Sequence, residues 1–138
     1  MNVDFAFICD YAEAREKINA MGIGFDTIYA TQLPVKHARF YIVAQLRFGF
    51  SETGTHKLEI RLIDADGKDA IRPVQGQIEV NPPPAGKFEN TARFTMAFDN
   101  IEFKAFGDYS VQIRLDDKEY VSIPLKIAEA PKTPNRAA

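Results

Sequence analysis

Apolar and polar residues alternate along most of this chain. Leu58, Ile60 and Leu62 interleave with Lys57, Glu59 and Arg61. Tyr109, Val111, Ile113 and Leu115 interleave with Ser110, Gln112, Arg114 and Asp116, and Val121, Ile123, Leu125 and Ile127 with Ser122, Pro124, Lys126 and Ala128. A period of two puts successive side chains on opposite faces of a strand, so each run reads as a strand with one buried face. The coarse strands fall at about 3–11, 18–29, 38–50, 56–64, 71–80, 90–103, 108–116 and 119–128. The pattern predicts an all-β fold: a two-sheet antiparallel sandwich, immunoglobulin-like or related, of seven to nine strands. Residues 1–129 form one such domain in this reading, and 130–138, with two prolines and little to bury, a flexible C-terminal tail.

Turn chemistry separates the runs. Asp64-Ala65-Asp66-Gly67 ends one strand, and Asp116-Asp117-Lys118-Glu119 joins the last two as a tight hairpin. Asn81-Pro82-Pro83-Pro84-Ala85-Gly86 cannot enter a ladder, because proline donates no backbone hydrogen bond. The run 38–50 breaks the alternation: Phe40 to Ala44 are all apolar. That fits a strand covered on both faces, or one whose outer face meets a partner. Asp10 to Lys17 has helical propensity but is too short for a stable helix, and reads as a connection with at most one helical turn. Tyr109 opens a late strand behind Gly107 and Asp108, the placement of a tyrosine corner, whose hydroxyl bonds back to nearby backbone.

The pair Gly22 and Gly24 lies within predicted strand 18–29. If strands 3–11 and 18–29 form a hairpin with Tyr11 opposite Ile18, then Phe7 faces Gly22 and Phe5 faces Gly24. The rings would cover bare backbone. The neighbouring register opposes Phe7 to Ile23 and Phe5 to Phe25, and only one of the two can hold.

Composition narrows the function classes. The chain has 138 residues, net charge −2, eleven Phe, five Tyr and no Trp. No basic patch or stripe marks a nucleic-acid partner, and no apolar run approaches the roughly 18–20 residues of a membrane-spanning helix. Cys9 is the sole cysteine, so no intrachain disulfide forms, and the first residues do not read as a signal peptide; both point to the cytoplasm.

Candidate chemistry is thin. Asp64, Asp66 and Asp69 surround Gly67, and Asp116 and Asp117 form a second acidic pair, so a calcium-binding sandwich is the alternative function. Gln75 stands where a calcium loop of the EF-hand type needs Glu, and an Asp-Gly turn accounts for the same residues. His37 and His56 each sit just before a predicted strand and read as exposed strand-end residues without the further ligands zinc needs. Cys9, between Phe7 and Tyr11, reads as a core thiol. No nucleophile elbow or phosphate-binding glycine motif is present. The expectation is a chain with no catalytic, cofactor-binding or metal residues, hence no enzyme. It is a protein-interaction or assembly module whose doubly apolar strand meets a protein partner or a second copy.

Phe5-Ala6-Phe7-Ile8-Cys9-Asp10-Tyr11-Ala12 and Lys17 to Ile28 resemble a family of small uncharacterised bacterial proteins carrying a domain of unknown function. The resemblance continues through Tyr41-Ile42-Val43, Leu58 to Asp64 and Gly107-Asp108-Tyr109, to about Ile127. It implies a compact bacterial β-fold and supplies no activity or site residues. The chain departs from it before Lys17, where Ala14-Arg15-Glu16 replaces an expected Asp-Gly turn, so the first connection differs.

Overall fold

A computed structural model describes residues 1–131. Ten strands follow in order: β1 (Asn2–Cys9), β2 (Tyr11–Ala14), β3 (Ile18–Met21), β4 (Thr27–Ala30), β5 (Val35–Gly49), β6 (Gly54–Ile63), β7 (Val74–Val80), β8 (Glu89–Phe103), β9 (Gly107–Leu115) and β10 (Lys118–Glu129). A single 3-10 turn, Phe50–Glu52, links β5 to β6, and no α-helix occurs among the described residues. The all-β expectation holds, with more strands than the seven to nine expected.

The strands form three sheets: β1-β5-β8, β4-β10-β9-β6-β7, and the small pair β2-β3. Every pairing is antiparallel except β4 with β10, which is parallel and corrects the purely antiparallel expectation. One core joins the two larger sheets. Phe40, Ile42, Ala44, Leu46 and Phe48 of β5 pack in it with Leu58, Ile60 and Leu62 of β6, Val111, Ile113 and Leu115 of β9, and Leu125 and Ile127 of β10. The alternating residues of the sequence therefore do turn inward, though Val121 and Ile123 are only half-buried. Pro124 is tolerated within β10 because β4 pairs only with Lys126–Glu129, leaving β10 a single partner strand at that point.

Two local expectations fail at the N-terminal end. Asp10 to Lys17 is not a mere connection: Tyr11–Ala14 is strand β2, paired with β3 as Tyr11 opposite Met21 and Ala12 opposite Ala20. Burial overrides helical propensity here, since Ala12 is enclosed with Cys9 and Val43. Residues 18–29 are two short strands in different sheets, broken where Gly22 and Gly24 take φ of +69° and +88°. β1 does not pair with this segment. It pairs with β5, placing Phe7 opposite Val43 and Phe5 opposite Gln45, so both proposed hairpin registers are wrong. The glycines serve left-handed backbone, and Gly22 also lies where an added Cβ would fall 2.1 Å from Oδ2 of Asp10.

The doubly apolar β5 is explained by this arrangement. It is the middle strand of its sheet, with one face in the main core. The β2-β3 hairpin folds over part of the other face, burying Val43 and Cys9 and packing Phe7, Ile18, Ala20 and Tyr41 around them. Tyr109 donates its hydroxyl to the Ala105 carbonyl at 2.9 Å, as a tyrosine corner requires. Of the C-terminal segment 130–138, residues 132–138 lie outside the described residues.

Candidate functional site

The hairpin does not close over the whole outer face of the β1-β5-β8 sheet. Beside it a shallow cleft of about 400 Å³ remains, lined by Phe5, Phe7, Ile18, Asn19, Ala20 and Ile23. Period two in β1 sends Ile8 to the main core and Phe5 and Phe7 to the opposite face. Their rings stack with centroids 5.9 Å apart. From the other side β3 supplies Ile18 and Ala20, and the left-handed turn at Gly22 and Gly24 presents Ile23. The Gly24 N–H donates to the Ile8 carbonyl at 3.1 Å, and the Asp10 N–H to the Met21 carbonyl at 3.0 Å, so both walls are tied together by backbone.

The surroundings are unusually apolar for open surface. Ile23 is 58% exposed and Phe5 38%, while Met21, on the same hairpin, is 69% exposed. A row of polar contacts runs past the cleft. Asp4, at the bulge in β1, accepts from Gln45 at 2.7 Å and from both Nε and Nη2 of Arg47, at 3.1 and 2.7 Å. These hydrogen bonds, Arg47 first, hold the Asp4 carboxyl below its usual range. Gln45 in turn accepts from Arg93 at 2.6 Å, and Arg93 reaches the Glu16 carbonyl at 3.3 Å, fastening the hairpin tip to β8.

The acidic residues do not assemble. Asp64 and Asp116 stand at opposite ends of β6, since Ile63 pairs with Ser110 and Leu58 with Leu115. Asp64 accepts from the backbone of Asp66 and Lys68, at 2.9 and 3.0 Å, which makes it a turn former. Asp69 pairs with Arg61 at 3.0 Å and Asp117 with Lys57 at 3.0 Å. Among the described residues no group of three or more His, Cys, Asp or Glu side chains is placed to hold a metal.

The histidines are not the exposed strand-end residues expected. His37, in β5, is half-buried between the rings of Phe25 and Phe40, at 6.2 and 5.9 Å. His56, in β6, contacts Asp116 and the Glu52 carbonyl. Cys9 is fully enclosed, its thiol 3.4 Å from the Tyr11 carbonyl, and burial pushes its pKa up. A thiol in such a place yields little thiolate, as a core residue should.

Residues 4–128 match the profile of a family of unknown function, DUF6941. The chain belongs to this family. The DUF6941 match spans every strand described above except the first two residues of β1 and the last of β10. No curated protein matches the chain. No helix among the described residues is long and apolar enough to cross a membrane.

The cleft was not visible as a site in the sequence. Phe5 and Phe7 read there as rings covering Gly22 and Gly24 of a hairpin, with Ile18 and Ile23 in its second strand; the signal was the excess of apolar residues in 38–50, which fits a strand covered on both faces by an element the sequence did not identify.

Proposed function

We propose that this DUF6941 domain is a non-catalytic protein-interaction or assembly module that docks a protein partner in the cleft between β1 and β3. The carrying observation is the cleft itself: exposed Phe5 and Ile23 over a wall of Phe7, Ile18 and Ala20, with Asn19 as its only polar side chain. Its openness suits an apolar side chain presented by another protein. Small-molecule sites usually enclose most of their ligand. The two larger sheets, sharing one core and closed by the Tyr109 corner, support an immunoglobulin-like sandwich as the frame for this surface. The single enclosed thiol fits a bacterial cytoplasm.

A second copy of the chain is the simplest occupant. Sedimentation over a wide concentration range tests it: the average mass should rise above the 15.5 kDa of one chain, and Ile23→Asp should restore the single-chain mass. Ile23 is exposed, so that change should alter folding stability by less than about 1 kcal/mol. A wild-type chain that stays single throughout rules out the second copy and leaves a different protein as the occupant. Sedimentation unaltered by Ile23→Asp despite self-association places the interface elsewhere.

A further inference from the structure

His56 lies near the start of β6 with its side chain 17% exposed. Its Nδ1 is 2.6 Å from Oδ2 of Asp116, and its Nε2 is 2.5 Å from the backbone carbonyl of Glu52. Both partners are acceptors only. A neutral imidazole carries one N–H and one lone pair, so it can satisfy one of them and must turn its lone pair on the other. Only the imidazolium donates to both. The contacts tie together three pieces of chain: β6, the 3-10 turn Phe50–Glu52, and the two-residue turn Asp116–Asp117 between β9 and β10. That last turn is left-handed, with φ of +50° and +66°, and Asp116 also accepts from the Lys57 N–H at 3.0 Å.

We propose that His56 is a proton-gated clamp: as the imidazolium it holds the Phe50–Glu52 turn against β6, and on losing a proton it releases that turn while staying bound to Asp116. The remaining N–H keeps the carboxylate because a charged acceptor binds it more strongly than a neutral carbonyl. The Nε2 lone pair then opposes the Glu52 oxygen, and the contact fails. The turn that is let go carries Phe50, 59% exposed, directly after Gly49, the last residue that β5 pairs with β8. Protonation of His56 thus governs how firmly one end of the molecule displays an aromatic residue.

The other groups facing the ring are few. The Glu52 carboxylate lies close enough to favour the charged ring and accepts from the Gly49 N–H at 3.0 Å and from the amino group of Met1 at 2.8 Å. The Lys57 ammonium is drawn to Asp117, and the Phe48 ring lies 5.5 Å away. The Glu52 carbonyl first, and then Asp116, raise the His56 pKa above its ordinary value, with burial opposing. The hydrogen bond from His56, chiefly, lowers that of Asp116. A raised histidine pKa stabilises fully below the unfolded value and loses that contribution as pH rises through the folded value; a lowered carboxylate pKa stabilises above its unfolded value. The clamp is therefore at full strength between about pH 4 and 6.5 and weakens on the alkaline side.

The test is an NMR titration of the His56 ring together with hydrogen exchange at the Thr53 amide, which donates to the Phe50 carbonyl within the turn. In the wild-type chain the ring should titrate above about pH 6.5. The protection of Thr53, corrected for intrinsic exchange, should fall through the same midpoint. Asp116→Asn keeps a side chain that tolerates the left-handed backbone and still accepts from Lys57, but lacks the charge. Its amide then donates to Nδ1 and leaves the neutral ring a proton on Nε2 for the Glu52 carbonyl, so the variant should lower the ring's midpoint and keep Thr53 protected through the titration. A ring that titrates at or below the ordinary histidine value, or Thr53 protection that does not change with pH, overturns the proposal. Both readings come from the wild-type chain and so do not depend on the variant folding.

Discussion

Single residues settle where the chain can bend, and two glycines separate the reasons. Gly22 and Gly24 both have positive φ, but only Gly22 has a side chain, Asp10, in the space a Cβ would take. Alanine at Gly24 should cost about 1–2 kcal/mol of backbone strain. Alanine at Gly22 should cost more, and Asp10→Ala should recover part of the excess. Chemical denaturation of the two single variants and the double variant measures that coupling directly; equal costs at the two glycines would show that the Asp10 contact is immaterial. The sequence made both glycines conspicuous but not their role, because a strand bulge and a left-handed turn use the same residue. Tyr109 was legible for the opposite reason: its Gly-Asp-Tyr setting is local, and so is its bond to Ala105 four residues away. Tyr109→Phe should cost about 0.5–1.5 kcal/mol, read from the denaturation midpoint.

Among elements, the β2-β3 hairpin is the one whose placement sequence could not give. Its strands are four residues each, too short for periodicity to speak, and its partner face on β5 is some twenty residues downstream. The long strands β6, β9 and β10 were readable because burial on one face repeats over many residues, and β5 because Phe40 to Ala44 form an unbroken run suited to strand. The hairpin is held to the sheet by a small apolar cluster around Val43, by Arg93 reaching Glu16 and, at its base, by the single backbone bond from Gly24 to Ile8. It should therefore open without global unfolding. Cys9 lies beneath it and is the only thiol, so its rate of modification by a thiol reagent reports the opening. Arg93→Ala should speed that modification several-fold while global stability changes by less than about 1 kcal/mol, as an exposed polar contact would allow. An unchanged rate would mean that the thiol is reached only through complete unfolding.

At the scale of the whole molecule, the inward rows of the two larger sheets carry the stability. Ile113, fully enclosed in β9, should cost about 2–5 kcal/mol on truncation to Ala. That core was legible residue by residue in β6 and β9. The division into three sheets and the parallel β4-β10 pair were not, because strand order depends on which edges meet in space. The candidate site shares that limit: Phe5 and Ile23 meet only after β1 has paired with β5 and the hairpin has folded back. The central claim, that the cleft binds protein, is tested most directly by comparing what tagged forms of the chain retain from cells that natively carry it, with a differently tagged copy of the chain present. Wild type should retain at least one protein, which can be the second copy. Phe88→Asp, remote from the cleft, should retain it equally, and Ile23→Asp should lose it. Identical retention by all three forms would contradict the account.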